Sequence, residues 1–289
     1  MRRIFISFPL SVFLSLAGIL LPLRAGAAED NHYPRVLRVQ DGKIITFDQM
    51  IRDIGRTRAV FVGESHGNSG HHKAQLAVIK KLRNSRIPLA VGLEMFRANS
   101  QEALNRWIRG EMTLQKFLRI YYDNWSLPWA LYSDIFFYAR EKGIPLVGLN
   151  IPRHITRKVA RKGFSSLTPS ELKELPPGIT CDVDREYMDF IRRMYKAHNG
   201  RGTESFTRFC EAQMIWDKVM AWHLTAYLKQ HPGSTVVVLA GTGHSWKRGI
   251  PAQLRKDSGF ACTVILPEPP GGVRHTVITP DDADYLFLW

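Results

Sequence analysis

Polar residues that can do chemistry follow four short apolar runs of this sequence. They are Glu64 and His66, Glu94, Asn150, and His244. Carboxylates and imidazoles can bind metal ions, exchange protons or hold a polar ligand. The carboxyl ends of parallel strands share one edge of a sheet, where ligands bind. If the runs are such strands, these side chains converge although 180 residues separate Glu64 from His244. The sequence therefore predicts a functional pocket at this edge.

The apolar runs and the segments between them predict the fold class. The four runs span residues 59–62, 89–93, 146–149 and 236–240, and a fifth spans 261–266. Segments with helical periodicity lie at 72–83, 101–109, 114–122, 129–142 and 205–230. Strands that alternate with helices are typical of an α/β fold, here a mostly parallel sheet flanked by helices. The pair Asp41-Gly42 predicts a hairpin between 36–39 and 43–46.

The alternation lapses between residues 152 and 202. This stretch has no strand-like run, contains Pro169, Pro176 and Pro177, and has one amphipathic pattern near 185–198. We therefore expect a smaller helical subdomain at 152–202. It would be inserted into an α/β core domain formed by 28–151 and 203–289.

The first 27 residues have the features of an export signal. Arg2 and Arg3 precede the mostly apolar residues 4–23, and an Ala-Gly-Ala cleavage pattern ends at Ala27. The alternative is a membrane anchor, because the apolar stretch is nearly long enough to span a bilayer. We expect cleavage and a soluble protein in the periplasm. The first 180 residues contain no cysteine, so no lipoprotein cysteine can follow the signal.

The charge and the cysteines limit the possible partners. The net charge is +14, and about +11 without the signal, which favours anionic ligands or surfaces. The basic residues are spread along the chain, so we do not expect nucleic acid as a partner. The three cysteines match no zinc motif and form no complete disulfide set. Cys181 and Cys210 could pair in an oxidising compartment, whereas Cys262 fits a buried strand.

Asp217 lies on an apolar stripe of the long predicted helix. Gln213, Trp216 and Met220 share its face at helical spacing. A carboxylate in such a place needs a partner, and we expect a structural hydrogen bond to nearby backbone rather than contact with a ligand.

Tyrosines near basic or aromatic residues are candidate ligands for ferric haem, because a tyrosinate can coordinate the iron. Tyr195 and His198 lie at the polar end of a helical stripe beside two arginines, and nearby cations favour the deprotonated phenol. Tyr122 lies close to Trp125 and is the second candidate.

Five motifs in this order resemble the ChaN-like haem-binding uptake proteins of bacteria, in the superfamily that includes TIKI, TraB and erythromycin-esterase-like proteins. The resemblance covers about residues 43–254. The motifs are Gly63-Glu64-Ser65-His66 with His71, His72 and Gln75; Gly92-Leu93-Glu94-Met95-Phe96; Asn150-Ile151-Pro152-Arg153; Gln213 with Trp216, Asp217, Met220 and Ala221; and Gly241-Thr242-Gly243-His244 followed by Gly249-Ile250-Pro251.

The resemblance implies a haem-binding protein of iron acquisition, with possible partners in a haem-uptake system. It also implies a homodimer around two stacked haems, each iron held by a tyrosine. Tyr195 is our first choice for that ligand and Tyr122 the alternative. No catalytic step is required.

The other residues of the expected haem site follow from their chemistry. Arg97 and Arg153 suit the propionates, and Trp125 suits a porphyrin face. The remaining contacts are expected from Glu64, His66, His72, Glu94, Asn150, His198 and His244.

An alternative function uses the same strand-end residues. Glu64, His66, Glu94 and His244 are suitable ligands for a divalent metal ion that activates water. The rival hypothesis is therefore a metal-dependent hydrolase, either esterase-like or protease-like.

Overall fold

The computed structural model describes residues 33–55, 57–195, 203–269 and 278–289. The side chains of 186, 193–195 and 203–204 are outside this description, although their helices are included. The predicted signal segment 1–27 and His198 lie outside the described residues.

One eight-stranded sheet organises the described chain. Its strands are β1 (Arg35–Arg38), β2 (Lys43–Ile45), β3 (Ala59–Glu64), β4 (Leu89–Arg97), β5 (Leu146–Asn150), β6 (Thr235–Gly241), β7 (Cys262–Pro267) and β8 (Tyr285–Leu288). Their order in the sheet is β2-β1-β8-β7-β3-β6-β4-β5. All neighbours from β8 to β5 pair in parallel, whereas β1 pairs antiparallel with both β2 and β8. The predicted α/β class with a mostly parallel sheet is confirmed.

Helices connect the strands and cover both faces of the sheet. They are α1 (Phe47–Ile54), α2 (Ser69–Asn84), α3 (Gln101–Ile108), α4 (Leu114–Asn124), α5 (Ser133–Lys142), α6 (Arg153–Lys162), α7 (Pro169–Leu172), α8 (Arg185–Tyr195), α9 (Thr203–Gln230), α10 (Thr242–Ser245) and α11 (Ile250–Ser258). Among the described residues, none of these helices has the length and apolar composition that crossing a bilayer requires.

Alternate residues of the inner strands pack on opposite faces. In β3, Val60 and Val62 join the apolar cluster that includes residues of α1 to α5. Ala59 and Phe61 join the cluster that includes residues of α8, α9 and α11. A strand covered on both sides must be apolar at every position, which is why these runs are visible in the sequence.

The N-terminal hairpin and the last strand extend the sheet on one side. Gly42 adopts a left-handed φ of 68° in the predicted turn between β1 and β2. The sequence analysis did not predict β8, which lies between β7 and β1. No segment with helical periodicity precedes these four residues. The alternation of helices and strands that identifies the other strands is therefore absent there.

The described part of 152–202 is helical. It contains α6, α7 and α8, of which only α8 was anticipated. The basic helix α6 buries Ile155 and Val159 in a small cluster with α9. Only these few apolar positions indicate a helix, so the sequence of α6 resembles that of a polar loop. The division into a core and an inserted subdomain stays a prediction.

The disulfide that the sequence left open between Cys181 and Cys210 is not formed in the structure. Cys181, Cys210 and Cys262 are all free thiols. Cys210 is buried, while Cys181 and Cys262 are partly buried, and burial raises the pKa of all three.

The exposed side of edge strand β5 is covered by one side chain. The Gln101 amide donates to the Leu146 carbonyl at 2.7 Å and accepts from the Gly148 N–H at 3.0 Å. These are groups that a further strand would otherwise pair, and unpaired edges invite association with other chains. Gln101 therefore ends the sheet at β5.

Replacing Gln101 by Ala should lower the free energy of unfolding by about 1–3 kcal/mol, because the edge backbone groups lose both partners. Urea denaturation measures the change. Gln115, on the exposed surface of α4, supplies the matched control, and Q115A should change stability by no more than about 0.5 kcal/mol. Equal effects of the two variants would contradict this role of Gln101.

Candidate functional site

The ends of the central strands bring the predicted polar residues to one edge. Strands β3, β6, β4 and β5 are consecutive in the sheet, and Glu64 pairs in register with Gly241. Two of the predicted histidines lie beside Glu94: the Nε2 atoms of His66 and His244 are 4.0 and 3.9 Å from its Oε1. The predicted convergence of Glu64 and His244 is therefore observed.

Glu64 is a buried carboxylate with several donors around it. Its Oε1 accepts hydrogen bonds from the Tyr132 hydroxyl at 2.5 Å and from His66 Nδ1 at 2.7 Å. Its Oε2 accepts from Gln75 Nε2 at 2.8 Å and lies 3.2 Å from His72 Nδ1. Burial alone would raise the pKa of Glu64, but the hydrogen bonds from His66 and His72 outweigh it and hold the pKa well below its usual range.

His72 is held in its charged form by the acceptors around it. Its Nε2 lies 3.0 Å from the His66 carbonyl, and its Nδ1 lies 3.2 Å from Gln75 Oε1. Because the Gln75 amide nitrogen already donates to Val62 and Glu64, its oxygen faces the ring. Both ring nitrogens therefore donate. Burial opposes this charge, but Glu64 raises the pKa of His72 above its ordinary value. Its contacts are internal, and it is 3% exposed.

His66 is the member of this group that reaches the surface of the pocket. Its side chain is 38% exposed, and its ring lies perpendicular to that of Trp125 at a centroid distance of 5.1 Å. Burial lowers its pKa, whereas Glu64 and Glu94 raise it, and the net shift is upward. Since Glu64 fixes Nδ1, the Nε2 atom points towards Glu94.

A break in the register of β4 places Glu94 in the pocket. Leu93 pairs with Gly148 and Arg97 with Asn150, so β4 has two extra residues at this point. Such bulges redirect side chains and are common beside functional sites. Glu94 Oε2 accepts the Gly241 N–H at 2.6 Å, and its backbone carbonyl accepts from Asn150 Nδ2 at 2.5 Å.

Asn150 links the bulge to helix α9. Its Oδ1 accepts the Trp216 indole N–H at 2.5 Å and also the N–H of Ile151. Asn150 is thus placed at the pocket as predicted, with its amide committed to neighbouring groups.

His244 is oriented by a second buried carboxylate. Asp217 Oδ1 accepts from His244 Nδ1 at 2.6 Å, and Asp217 Oδ2 accepts from the Tyr187 hydroxyl at 2.9 Å. Burial alone would lower the pKa of His244, but Asp217 and Glu94 raise it to about 9. The expectation of a backbone partner for Asp217 was wrong, because helices α8 and α10 both direct side chains at it.

The arrangement presents two imidazoles on either side of one carboxylate. Each ring is fixed at Nδ1 by a buried carboxylate, which orients it and raises its basicity. The groups can hold a proton or the polar part of a ligand, or exchange protons with it. Within the described residues, no group of three or more His, Cys, Asp and Glu side chains is arranged to hold a metal ion.

The two predicted arginines meet at the end of helix α4. Arg97 Nε donates to Asn124 Oδ1 at 3.0 Å, and Arg153 donates to the Asn124 carbonyl at 2.7 Å. Arg97 also forms an ion pair with Asp123. Both arginines therefore lie at one corner, with Trp125 next in the chain to Asn124.

The candidate tyrosines occupy different places. Tyr122 is 51% exposed, and its hydroxyl accepts the Trp129 N–H at 3.2 Å. Tyr195 is the last residue of α8. Its side chain and His198 lie outside what the structure describes, so their part in the site stays a prediction.

Sequence reasoning missed two tyrosines of the cluster. Tyr132 lies inside the predicted helix 129–142, which is divided into a short turn, Trp129–Leu131, and α5. Tyr187 lies in the amphipathic pattern near 185–198, where the sequence indicated no role for it beyond the helix. Neither adjoins a strand end, so only the three-dimensional contacts identify them.

Replacing Asp217 by Asn should lower the pKa of His244 from about 9, because one of the two carboxylates that raise it is lost. A histidine whose pKa rises on folding adds stability below its unfolded pKa of about 6.5, and this stability disappears as the pH rises through the folded pKa. The stability difference between D217N and wild type should therefore be largest below about pH 6.5 and shrink towards pH 9.

NMR titration of the imidazole Cε1–H signals and urea denaturation across this pH range measure both effects. Asp134 is exposed on α5, and D134N is the matched control. An unchanged His244 pKa in D217N would contradict the assignment.

Gly241 leaves room for the ring of His66. A Cβ atom at this position would lie 2.9 Å from His66 Cε1. G241A should therefore push the ring away from Glu64 and move the pKa of His66 back towards its ordinary value. G67A is the control, because a Cβ at Gly67 meets nothing within 4 Å. The same NMR titration of the imidazole Cε1–H signals measures the pKa of His66. An unchanged His66 pKa in G241A would contradict this role of Gly241.

Comparisons with known proteins agree with the fold. ChaN of Campylobacter jejuni, solved with cofacial haem, has a TM-score of 0.69 at 20% identity, covering 89% of this chain and 97% of that chain. The type III effector HopBA1 has a TM-score of 0.53 at 13% identity, covering 90% and 98%. A mutant of the erythromycin esterase EreC has a TM-score of 0.50 at 13% identity, covering 82% and 76%. At these identities the likeness is one of fold.

The family comparison covers most of the chain. No curated protein matches the chain. Residues 50–254 match the family described as haem-binding uptake, Tiki superfamily, ChaN. This stretch contains the whole strand-end cluster, from Glu64 to His244. The chain belongs to the ChaN family of haem-binding uptake proteins.

Proposed function

We propose that this protein binds haem at the strand-end pocket and takes part in haem or iron acquisition in the periplasm. The observation that carries the proposal is the match of residues 50–254 to a haem-binding uptake family. The predicted export signal supports the location.

Aromatic rings beside the two histidines support a flat, apolar ligand. Trp125 adjoins His66, and Trp216 adjoins His244 at a centroid distance of 5.3 Å. Aromatic rings prefer such edge contacts with one another. They can also stack on the face of a porphyrin. The imidazole of His66 would then be a polar contact or a second ligand at the same place.

The arginine corner supports recognition of the propionates. Arg153 makes one hydrogen bond to the described residues, at the Asn124 carbonyl. Its other N–H groups suit a bidentate bond to a carboxylate. Arg97 would have to exchange its ion pair with Asp123 for a propionate, so we assign Arg153 the larger share.

The contacts of the buried tyrosines favour the two original candidates for the iron ligand. The hydroxyls of Tyr132 and Tyr187 donate to Glu64 and Asp217, and burial together with these carboxylates raises both pKa values. Both therefore keep their protons, whereas iron needs a tyrosinate. We propose Tyr195, at the end of α8, with Tyr122 as the alternative.

We also propose a homodimer around two stacked haems, which passes haem to or from other components of an uptake system. Cofacial haem in the Campylobacter relative supports this arrangement. Tyr122 and Phe137 expose large aromatic surfaces, of which 51% and 44% are accessible, and such surfaces are common at subunit contacts.

One observation favours the alternative of a metal-dependent hydrolase. The two carboxylate-oriented imidazoles beside Glu94 resemble groups that bind metals or act as bases. Against it stands the family match over residues 50–254, which is to haem-binding uptake proteins. We therefore rank haem binding first.

Hemin titration of the purified mature protein tests the proposal. The wild type should give a saturable Soret band. Y195F should shift that band and weaken binding by about tenfold or more, which corresponds to about 1.4 kcal/mol. Y122F should do so instead if Tyr122 is the ligand. Y33F is the control, because Tyr33 stacks on Phe47 of α1 instead of lining the pocket.

Two results would contradict the proposal. One is the absence of saturable hemin binding. The other is hydrolysis of ester or peptide substrates that depends on added manganese or cobalt and disappears in H66A and H244A, which would establish the hydrolase.

A further inference from the structure

A second cavity lies at the amino ends of the central strands, at the edge of the sheet opposite the strand-end pocket. Its volume is about 660 Å³, which is within the range of small-molecule sites. The described residues that line it include Arg52, Arg58 and Arg86 but no aspartate or glutamate. We call it the arginine cavity. The proposed function uses none of its residues.

The strands fix the floor of the arginine cavity. The Thr235 N–H donates to the Pro88 carbonyl at 2.9 Å, and the Val236 N–H donates to the Arg58 carbonyl at 3.0 Å. These bonds join the segments that lead into β4, β6 and β3. The floor is therefore preformed, which lowers the cost of binding a ligand.

One arginine is held rigidly at this floor. Arg58 Nε donates to the Ser234 carbonyl at 3.0 Å, and its Nη2 donates to the carbonyls of Leu228 and His231 at 2.7 and 3.3 Å. Its guanidinium also lies over the ring of Phe260, 4.8 Å from the centroid. Its Nη1 makes no hydrogen bond to the described residues. A guanidinium fixed in this way can donate from Nη1 to a ligand with little further loss of side-chain entropy.

The other two arginines of the cavity lack acidic partners among the described residues. The two acids of helix α1 pair with residues outside the cavity, one with Lys81 and one with Arg38. Arg52 and Arg86 therefore keep their positive charges without a carboxylate beside them. Like charges around one cavity repel each other, and an anion bound between them would remove that repulsion.

The backbone at Arg86 indicates that its side chain has a function. Its φ is 59°, and it is the only described residue other than glycine with a left-handed φ. A Cβ atom makes this conformation unfavourable, so glycine is the usual residue directly after a helix end such as that of α2. The last turn of α2 already carries Lys81 and Arg83, so the helix dipole does not require a further cation. Binding of a ligand by the guanidinium accounts for an arginine at this position.

We propose that the arginine cavity binds the phosphate group of a phosphate monoester. Such a group has a charge of about −1.5 to −2 and three terminal oxygens, which match three guanidinium groups. A carboxylate has a single charge and two oxygens, so it would match fewer of them. Ile51, Ile87 and Pro88 add apolar surface to the lining, on which the esterified part of the ligand would lie.

Calorimetric titration with phenyl phosphate tests the proposal, and benzoate serves as the carboxylate of similar shape. Phenyl phosphate should bind saturably and about tenfold or more tightly than benzoate. R52Q and R86Q should each weaken its binding about tenfold. R119Q is the matched control, because it removes the same charge from an exposed position of α4 outside the cavity.

Vesicle sedimentation identifies the source of the phosphate. Retention on phosphatidylcholine vesicles that contain phosphatidic acid, with loss of retention in R86Q, would identify a lipid headgroup. Binding of phenyl phosphate without retention on these vesicles would identify a soluble ester. Both results support the proposal.

R86G separates a ligand role from a structural one. Glycine removes the guanidinium and adopts the left-handed φ without strain, so R86G should melt at the wild-type temperature or higher and still lose affinity for phenyl phosphate. Any of four results would overturn the proposal: no saturable binding of phenyl phosphate, equally tight binding of benzoate, an equal loss of affinity in R119Q, or unchanged affinity in R52Q, R86Q and R86G.

Discussion

The site depends on keeping the Glu64 carboxylate charged inside the protein. An isolated buried carboxylate costs several kcal/mol, so it must be matched by donors. Those donors come from three parts of the chain: His66 in the turn after β3, His72 and Gln75 on α2, and Tyr132 at the start of α5. Each of these segments is therefore fixed relative to the sheet edge, and His66 is fixed with its outer nitrogen facing the pocket.

The opposite side of the pocket repeats this arrangement with Asp217. Helix α9 supplies the carboxylate, α10 supplies His244, and α8 supplies the Tyr187 hydroxyl. Glu94 lies between the two histidines because of the bulge in β4 and the Gly241 N–H. The pocket floor is thus a set of paired charges held by the fold itself. A rigid site loses less conformational entropy on binding a planar ligand than a site that must reorganise.

The features that were predicted correctly are those that recur along the sequence. Strand runs buried on both faces are apolar throughout, so β3 to β7 and the polar residues at their ends were identified correctly. Because these strands are parallel neighbours in the sheet, their carboxyl ends lie at one edge. Tyr132, Tyr187 and the bulge at Glu94 were not predicted, because their positions depend on contacts between distant segments. β8 was missed because four residues are too short to give a recognisable pattern. α6 was missed because it has only one apolar stripe among arginines and lysines. The iron ligand remains a prediction at Tyr195.

Paramagnetic NMR of the ferric haem complex tests the central claim most directly, because ferric iron broadens signals from nearby protons. The account predicts that the Cε1–H signals of His66 and His244 broaden on addition of one equivalent of hemin. The signal of His231, which lies just before β6 at the other end of the sheet, should stay sharp. Broadening of His231 with unchanged His66 and His244 would show that haem binds elsewhere, and the strand-end pocket would need another function.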